Sequence, residues 1–588
     1  MNKKFINRTK PGMTETNGHD VKTIRQNRTK NFINSILTPI LLLSNTAVAF
    51  EKLSRDISSS YEIPYLSTSD TTAGYTISTP GYYYLSSDLT IAPGNGNYSG
   101  IYINANNVIL DLNSHILKMT TTGIPPAGNI YGIQIAAGKK NITIINGTID
   151  GIGITTQSLL TGIYAPGTAN STIKDLHIKN IDILSCRLYG LHLSFCRTIE
   201  IDTLHAIETI STAANSFPAG LYIDNCLRGN ITNLSVHSTS CQTTEQGASY
   251  GVYATTSKNF IFKDANVSGG YITNISTNER SSISGIHLKN CQSFYFKDCK
   301  TINNRHEGIS TNSSSGNECC GIFLDTTTDC EFDGCWANNN SGGYKYGSNY
   351  TCSTYGFKLT SSSSGNRFIN CTTSNNSGAA DCAGIFIGQS GHNIFESCYS
   401  FNNTSSKTNF GSRFAFGITS TFGSNNSFKN CKITGNKIAT RTSNKGYGIA
   451  LRSDLSSVVR LCEIHFNGSG AVIAAGEAYG IALLGHCNNC VLQQNLLHNN
   501  HAATRRYGIK DFAANSLSLL TGNIAFGHGT CLTGVSTMTD TGTMNFFVSY
   551  SAPAADVRKV FKENFYYLIG NFSSTSDDLN WYNLSVQD

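Results

Sequence analysis

Short runs that alternate apolar and polar positions, such as Gly285-Ile286-His287-Leu288 and Gly480-Ile481-Ala482-Leu483, recur along the chain, each opened by a glycine. The glycines stand at Gly100, Gly132, Gly162, Gly190, Gly220, Gly251, Gly285, Gly321, Gly356, Gly384, Gly417, Gly448, Gly480 and Gly508, spaced 28 to 36 residues apart. Alternation marks short strands, and a period of this length marks a repeat architecture in which each unit stacks on the next. The pattern predicts an all-β chain with about fourteen stacked coils.

The register inside each coil is tighter than the spacing of the glycines. Fourteen or fifteen residues after the glycine come Cys299, Cys335, Cys371, Cys398, Cys431 and Cys462. Nineteen residues after it come Asn304, Asn340, Asn375, Asn403, Asn436, Asn467 and Asn499. Three positions before the cysteines lie Phe296, Phe332, Phe368, Phe395 and Phe428. Identical residues at fixed offsets lie above one another in a parallel stack, where strands are about 4.8 Å apart, so the asparagines can hydrogen-bond along the axis and the phenylalanines can stack.

Composition supports strands and tight turns over helices. Only 14% of residues are Asp, Glu, Lys or Arg, glycine is frequent at 55, and proline is scarce at 10. Nineteen cysteines in an exported chain would ordinarily imply disulfides. Vertical neighbours about 4.8 Å apart, however, are wider than the Cβ separation of about 3.8 Å that a disulfide uses, so a buried, reduced, space-filling cysteine column is expected. Cys319-Cys320 and Cys487-x-x-Cys490 are where a metal would be sought; without a second such pair, no metal and no cofactor are expected.

The formal charge of +6 changes meaning once it is located. Residues 1–30 hold eight Lys or Arg (Lys3, Lys4, Arg8, Lys10, Lys22, Arg25, Arg28, Lys30) against Glu15 and Asp20, so the remainder is neutral and offers no basic face to nucleic acid. This basic segment runs into apolar Phe32–Leu43 and ends at Ala47-Val48-Ala49, the pattern of a secretory signal cleaved after Ala49, leaving no membrane span. The expected organisation is a signal at 1–49, an N-terminal cap at 50–99 with Gly81–Leu85 as its strand, the coils at 100–540, and a C-terminal cap at 541–588. In that last segment Val557, Val560, Phe561 and Leu568 fall near helical spacing.

Asn107-Val108-Ile109-Leu110-Asp111-Leu112-Asn113 and Asn141–Ile149 resemble the opening coils of pectate- and pectin-lyase-like proteins. The later Gly-Ile-x-Leu coils resemble the β-helix repeats of sugar-hydrolase and NosD-type proteins, with Cys where those commonly place Asn. The resemblance covers roughly residues 80–540 and implies a right-handed, single-stranded parallel β-helix. It is specific for fold and weak for activity, because this scaffold carries lyases, hydrolases, epimerases, tailspikes and adhesins.

The activity motifs that the resemblance would bring are incomplete. Gly527-His528-Gly529 lacks acids on the preceding coils, Asp577-Asp578 lies in the tail, and neither Trp336 nor Trp581 sits in a Trp-x-Asp-His context. A second route is geometric: in Gly-Ile-x-Leu the two aliphatic residues point inward and the residue between them points out. That slot reads Tyr102, Gln134, Tyr164, His192, Tyr222, Tyr253, His287, Phe323, Lys358 and Phe386, an aromatic stripe on which a sugar could stack unless loops cover it. Tyr164, His192, Tyr222, Tyr253, Phe323 and Phe386 are the candidate binding residues.

Beside the stripe stand Asp224, Lys289 and Asp325. The two acids are three coils apart, about 14 Å, too far for the carboxyl pair of a glycosidase. His287, Lys289 and Asp325 are the candidate catalytic residues, as base and carboxylate clamp of a lyase, weighed against ordinary surface charge. Two readings stay open: an exported, adhesin-like protein that binds polysaccharide or cell-surface glycans, and a polysaccharide lyase or glycoside hydrolase.

Overall fold

A computed structural model describes residues 60–549, apart from segments 64–73, 94–96, 121–127, 154–158, 213–215, 243–246, 274–280, 308–316, 344–351, 406–413, 439–444, 470–476, 501–504, 513–517, 529, 534–538 and 541–545. The expected signal at 1–49, the C-terminal helix, Asp577-Asp578 and Trp581 lie outside the described residues. Within residues 61–549, every extended element among the described residues is a strand, and the strands pair in parallel. They form three ladders: a glycine sheet of sixteen strands, a broad sheet of 29 and a small sheet of nine.

Each of the fourteen glycine-marked runs supplies one strand of the glycine sheet, with Tyr75–Ile77 added before the first and Thr530–Thr533 after the last. Gly81–Leu85, expected as a covering strand, pairs in parallel with Val108–Asp111 and is itself part of the stack. The glycines are required by the closeness of successive coils. A Cβ on Gly251 would lie 1.9 Å from Val267 Cγ1 and 2.7 Å from the carbonyl oxygen of Gly285.

The interior is built from columns. Phe296, Phe332, Phe368, Phe395 and Phe428 are fully buried. Their rings stack at centroid separations of 4.8, 4.7, 4.7 and 5.4 Å. The cysteine column from Cys299 to Cys462 is buried and its thiols are free. Cys371 Sγ donates to the carbonyls of Phe332 and Ile369, both at 3.3 Å, and burial pushes its thiol well up, so it serves as a small protonated filler. After Cys462 the same column continues as Asn495 and Asn523: Cys462 N donates to Asn495 Oδ1 (3.0 Å), and Asn495 Nδ2 to Asn523 Oδ1 (2.9 Å).

The asparagine column turns the chain from the broad sheet into the small one. Its members are Asn304, Asn340, Asn376, Asn403, Asn436, Asn467 and Asn500, each amide donating to the next at 2.8, 2.9, 2.8, 2.8, 2.8 and 3.1 Å. Two expected members, Asn375 and Asn499, are displaced by one residue. They occupy the left-handed turn position just before the column, with φ of 53° and 48°, which Asn tolerates better than most residues. The coils of Asn376 and Asn500 hold twenty residues between glycine and column in place of nineteen.

From Gly417 to Asn436 is nineteen residues, as in most coils, whereas the return from column to next glycine varies from eight (Asn376 to Gly384) to seventeen (Asn304 to Gly321). The stack therefore fixes one arc of each coil and leaves the other free in length.

Candidate functional site

The outward slot of the glycine sheet carries the side chains that the alternation predicts. Ile286 and Leu288 are fully buried in the core while His287 between them faces away from it. Down the sheet the slot pairs Tyr164 with His192, His192 with Tyr222, Tyr222 with Tyr253, Tyr253 with His287, and His287 with Phe323. Their ring centroids lie 5.0, 4.5, 5.2, 5.2 and 4.4 Å apart. A second row, one residue before each glycine, packs against the first: Tyr189 lies 5.0 Å from Tyr222, and Tyr250 4.7 Å from Tyr253.

This belt differs from the sequence expectation in one respect that matters chemically. The rings stack on one another, so most of their faces are already occupied and they offer edges and hydroxyls to the solvent, not open faces to a pyranose. Burial holds His192 down to about 4 and, together with Tyr253, Tyr164 and Asp224, pushes Tyr189 up to about 12.

Of the catalytic candidates His287, Lys289 and Asp325, His287 is the one the fold covers. It is 7% exposed, lies between Tyr253 and Phe323, and neither ring nitrogen has a hydrogen-bond partner. Burial, then Lys358 and Lys289, hold it down to about 3. A base must reach the proton it removes, and this imidazole is walled in. Lys358, also expected to face out, is 6% exposed; it pairs with Glu318 and lies 4.5 Å above the Phe323 ring. Phe386, the last candidate, packs with its ring tilted 45° against Tyr355, 4.9 Å away and itself buried.

Alongside the aromatic slot runs a polar one. Ser194, Asp224, Thr255, Lys289, Asp325 and Thr360 are consecutive register partners, all half-buried or exposed. Asp224 accepts from Ser194 Oγ (3.3 Å) and Asn225 Nδ2 (2.7 Å). Lys289 stands directly across from Asp325, and among the described residues no ion pair joins them. Asp224 and Asp325 are separated by two intervening partners, so they cannot flank one glycosidic bond.

Towards the C-terminal end the belt is closed. Tyr447 and Tyr479 are 1% and 0% exposed. Glu477 pairs there with Lys445 (3.3 Å) and Arg505 (3.2 Å), and Lys510 lies 4.0 Å over Tyr507 and 4.3 Å over Phe512.

Cys319 and Cys320 point to opposite faces of their strand, Cys319 into a cluster with Ile272 and Cys352, Cys320 towards Tyr355, so they cannot share an ion. Cys487 Sγ donates to the carbonyls of Leu451 (3.1 Å) and Leu484 (3.5 Å), and Cys490 Sγ to those of Asp454 (3.6 Å) and Asn488 (3.8 Å). His528 of the Gly-His-Gly match is fully buried beside Asn500, 3.4 Å away. Trp336 is 45% exposed, with Lys300 5.1 Å over its ring. Among the described residues, three groups converge at metal-ligand spacing, on the broad sheet and away from the belt: Glu463, His465 and His498. Counting from the glycines hides them, because His465 and His498 fall at offsets of seventeen and eighteen; counted back from Asn467 and Asn500, both fall at two.

Among the described residues no helix is long and apolar enough to cross a membrane. No curated protein matches the chain by sequence. Residues 284–454 and 383–542 match the family described as right handed beta helix region. Among solved structures, the A-module of mannuronan C-5 epimerase AlgE4 from Azotobacter vinelandii is 12% identical, covering 79% of this chain and 91% of its own, with a TM-score of 0.33. Tailspike protein 3 of bacteriophage CBA120 is 12% identical over 64% of this chain and 59% of its own, with a TM-score of 0.26. The catalytic domain of a GH87 alpha-1,3-glucanase in complex with nigerose is 13% identical over 82% of this chain and 70% of its own, with a TM-score of 0.17. Residues 284–542 thus match the right-handed β-helix family, and the parallel ladders extend the same solenoid on both sides of that match.

Proposed function

We propose that the protein is exported and binds a polysaccharide or cell-surface glycan, as an adhesin does, along the outward face of the glycine sheet. The observation that carries this reading is the double track of aromatic edges beside polar side chains, repeated once per coil through Tyr222, Tyr253 and Phe323 and through Asp224, Lys289 and Asp325. A linear polymer lying along the axis meets a polar side chain beside a ring edge at each of these coils, and many individually weak contacts on one chain add up. Export rests on the basic segment, the apolar stretch Phe32–Leu43 and Ala49. The burial of His287 supports binding over cleavage.

Retention of the full chain on a panel of immobilised acidic and neutral polysaccharides tests the proposal. Retention is expected, and Tyr222→Ala with Asp224→Ala should weaken it about tenfold, the loss of one or two hydrogen bonds. No retention on any polymer, or retention unchanged in the double variant, would sink the reading. New reducing ends or unsaturated products would replace it with a glycosidase or a lyase. For export, the amino terminus of the protein recovered outside the cell should be Phe50.

A further inference from the structure

Glu463 and His465 are two residues apart on one strand, so their side chains leave the same face of the broad sheet. His498 is the register partner of His465 on the following coil, and the two imidazoles lie parallel, 4.6 Å apart at 9°. Glu463 Oε1 sits 3.3 Å from His465 Nε2 and 3.6 Å from His498 Nε2. All three donor atoms lie within 4.8 Å of one another.

Two further observations separate this cluster from an ordinary carboxylate and imidazole contact. His465 Nε2 is buried and makes no hydrogen bond, although the Glu463 oxygen is near it, so that nitrogen is uncommitted. The groups behind the donors are already arranged: Lys432 Nζ holds the other carboxylate oxygen, Oε2, at 3.0 Å, and Thr434 Oγ1 lies 3.5 Å from His465 Nδ1. Outer partners of this kind fix a ligand's orientation and leave Nε2 as the imidazole's free donor.

We propose that Glu463, His465 and His498 bind a divalent first-row transition ion of the zinc class through one carboxylate oxygen and two imidazole nitrogens. Two neutral nitrogens with one oxygen suit zinc, nickel or copper; calcium and magnesium require a shell of oxygens that is not present in this cluster. Glu463 is 33% exposed on its side chain while the histidines are 12% and 9%, so the cluster opens to solvent on the carboxylate side and leaves room for water to complete the coordination. Because the rings are parallel, closing on the ion turns one imidazole about its Cβ–Cγ bond.

Chelator-treated full-length protein titrated with zinc by calorimetry should take up one ion per chain at this site, with a rise in Tm on loading. His465→Ala and Glu463→Gln should each weaken uptake at least about tenfold and remove the rise in Tm; the second keeps the side chain's shape if the first fails to fold. With cobalt in place of zinc, visible bands without a thiolate charge-transfer band in the near ultraviolet identify nitrogen and oxygen donors. No uptake by the parent protein, uptake unchanged in both variants, or a thiolate band, which would move the ion to Cys487 and Cys490, each overturns the proposal.

Discussion

Between Tyr253 and Phe323, His287 is 7% exposed and neither of its ring nitrogens has a hydrogen-bond partner. A buried imidazole with two unpartnered nitrogens costs stability at every pH, about 1–3 kcal/mol for each orphaned group. His287→Phe keeps the stack between Tyr253 and Phe323 and should raise stability near pH 7 by about 1 kcal/mol, read by urea unfolding. Its pH dependence follows from the sign of the shift. The folded pKa is depressed to about 3, so below the ordinary value of about 6.5 the unfolded chain takes up a proton that the native chain refuses. That contribution is intact above about 6.5 and is lost as pH falls towards 3, with a slope near 1.4 kcal/mol per pH unit. The advantage of the Phe variant should therefore widen between pH 7 and 4; a constant gap would show that the ring is not buried neutral.

At the scale of elements the columns do most of the work of holding register, and they were largely legible. The phenylalanine and cysteine columns run where their offsets placed them, because those residues sit on strands whose length does not vary. The asparagine column was legible except at Asn375 and Asn499, where two coils hold an extra residue and an Asn also serves the adjacent left-handed turn. Two adjacent asparagines with different jobs cannot be told apart by type alone. The columns predict different costs. Phe332→Ala should lose about 3–5 kcal/mol through lost burial and a cavity in a stack that cannot collapse. Asn403→Ala should lose about 1–3 kcal/mol, because Asn376 Nδ2 loses its acceptor in a buried site. Replacing Phe332 and Phe368 together should be non-additive in a double-mutant cycle, whereas Phe332 with Asn403, which share no contact in the columns, should add.

For the stack as a whole, the division of each coil into a fixed arc and a variable return is the main organising fact. Five Gly or Ser residues inserted between 406 and 413, in the return from Asn403 to Gly417, should change Tm by no more than a few degrees, since lengthening such a return costs only a few tenths of a kcal/mol. Deleting Lys432 from the fixed arc moves Ile433 from the core to the outer face and breaks the Asn436 pairing, and the cooperative melting transition should disappear. Equal tolerance of both changes would contradict the assignment of the columns as the register-setting elements. Coil number and coil stacking were readable from the glycines; the strands before Gly100 pair in parallel with the first coil, and the segment expected to cap the last coil lies outside the described residues.

The eight-to-seventeen-residue range of the return segments also bears on how such a protein changes over time. Each coil can gain, lose or rewrite residues at one margin without asking its neighbours to adjust, because the shared columns all lie on the other arc. Differences in length are thereby confined to the return segments, and each coil can be revised independently. A lineage under pressure to meet new surfaces would accumulate its differences along that margin, while the spine of Phe, Cys and Asn stayed readable.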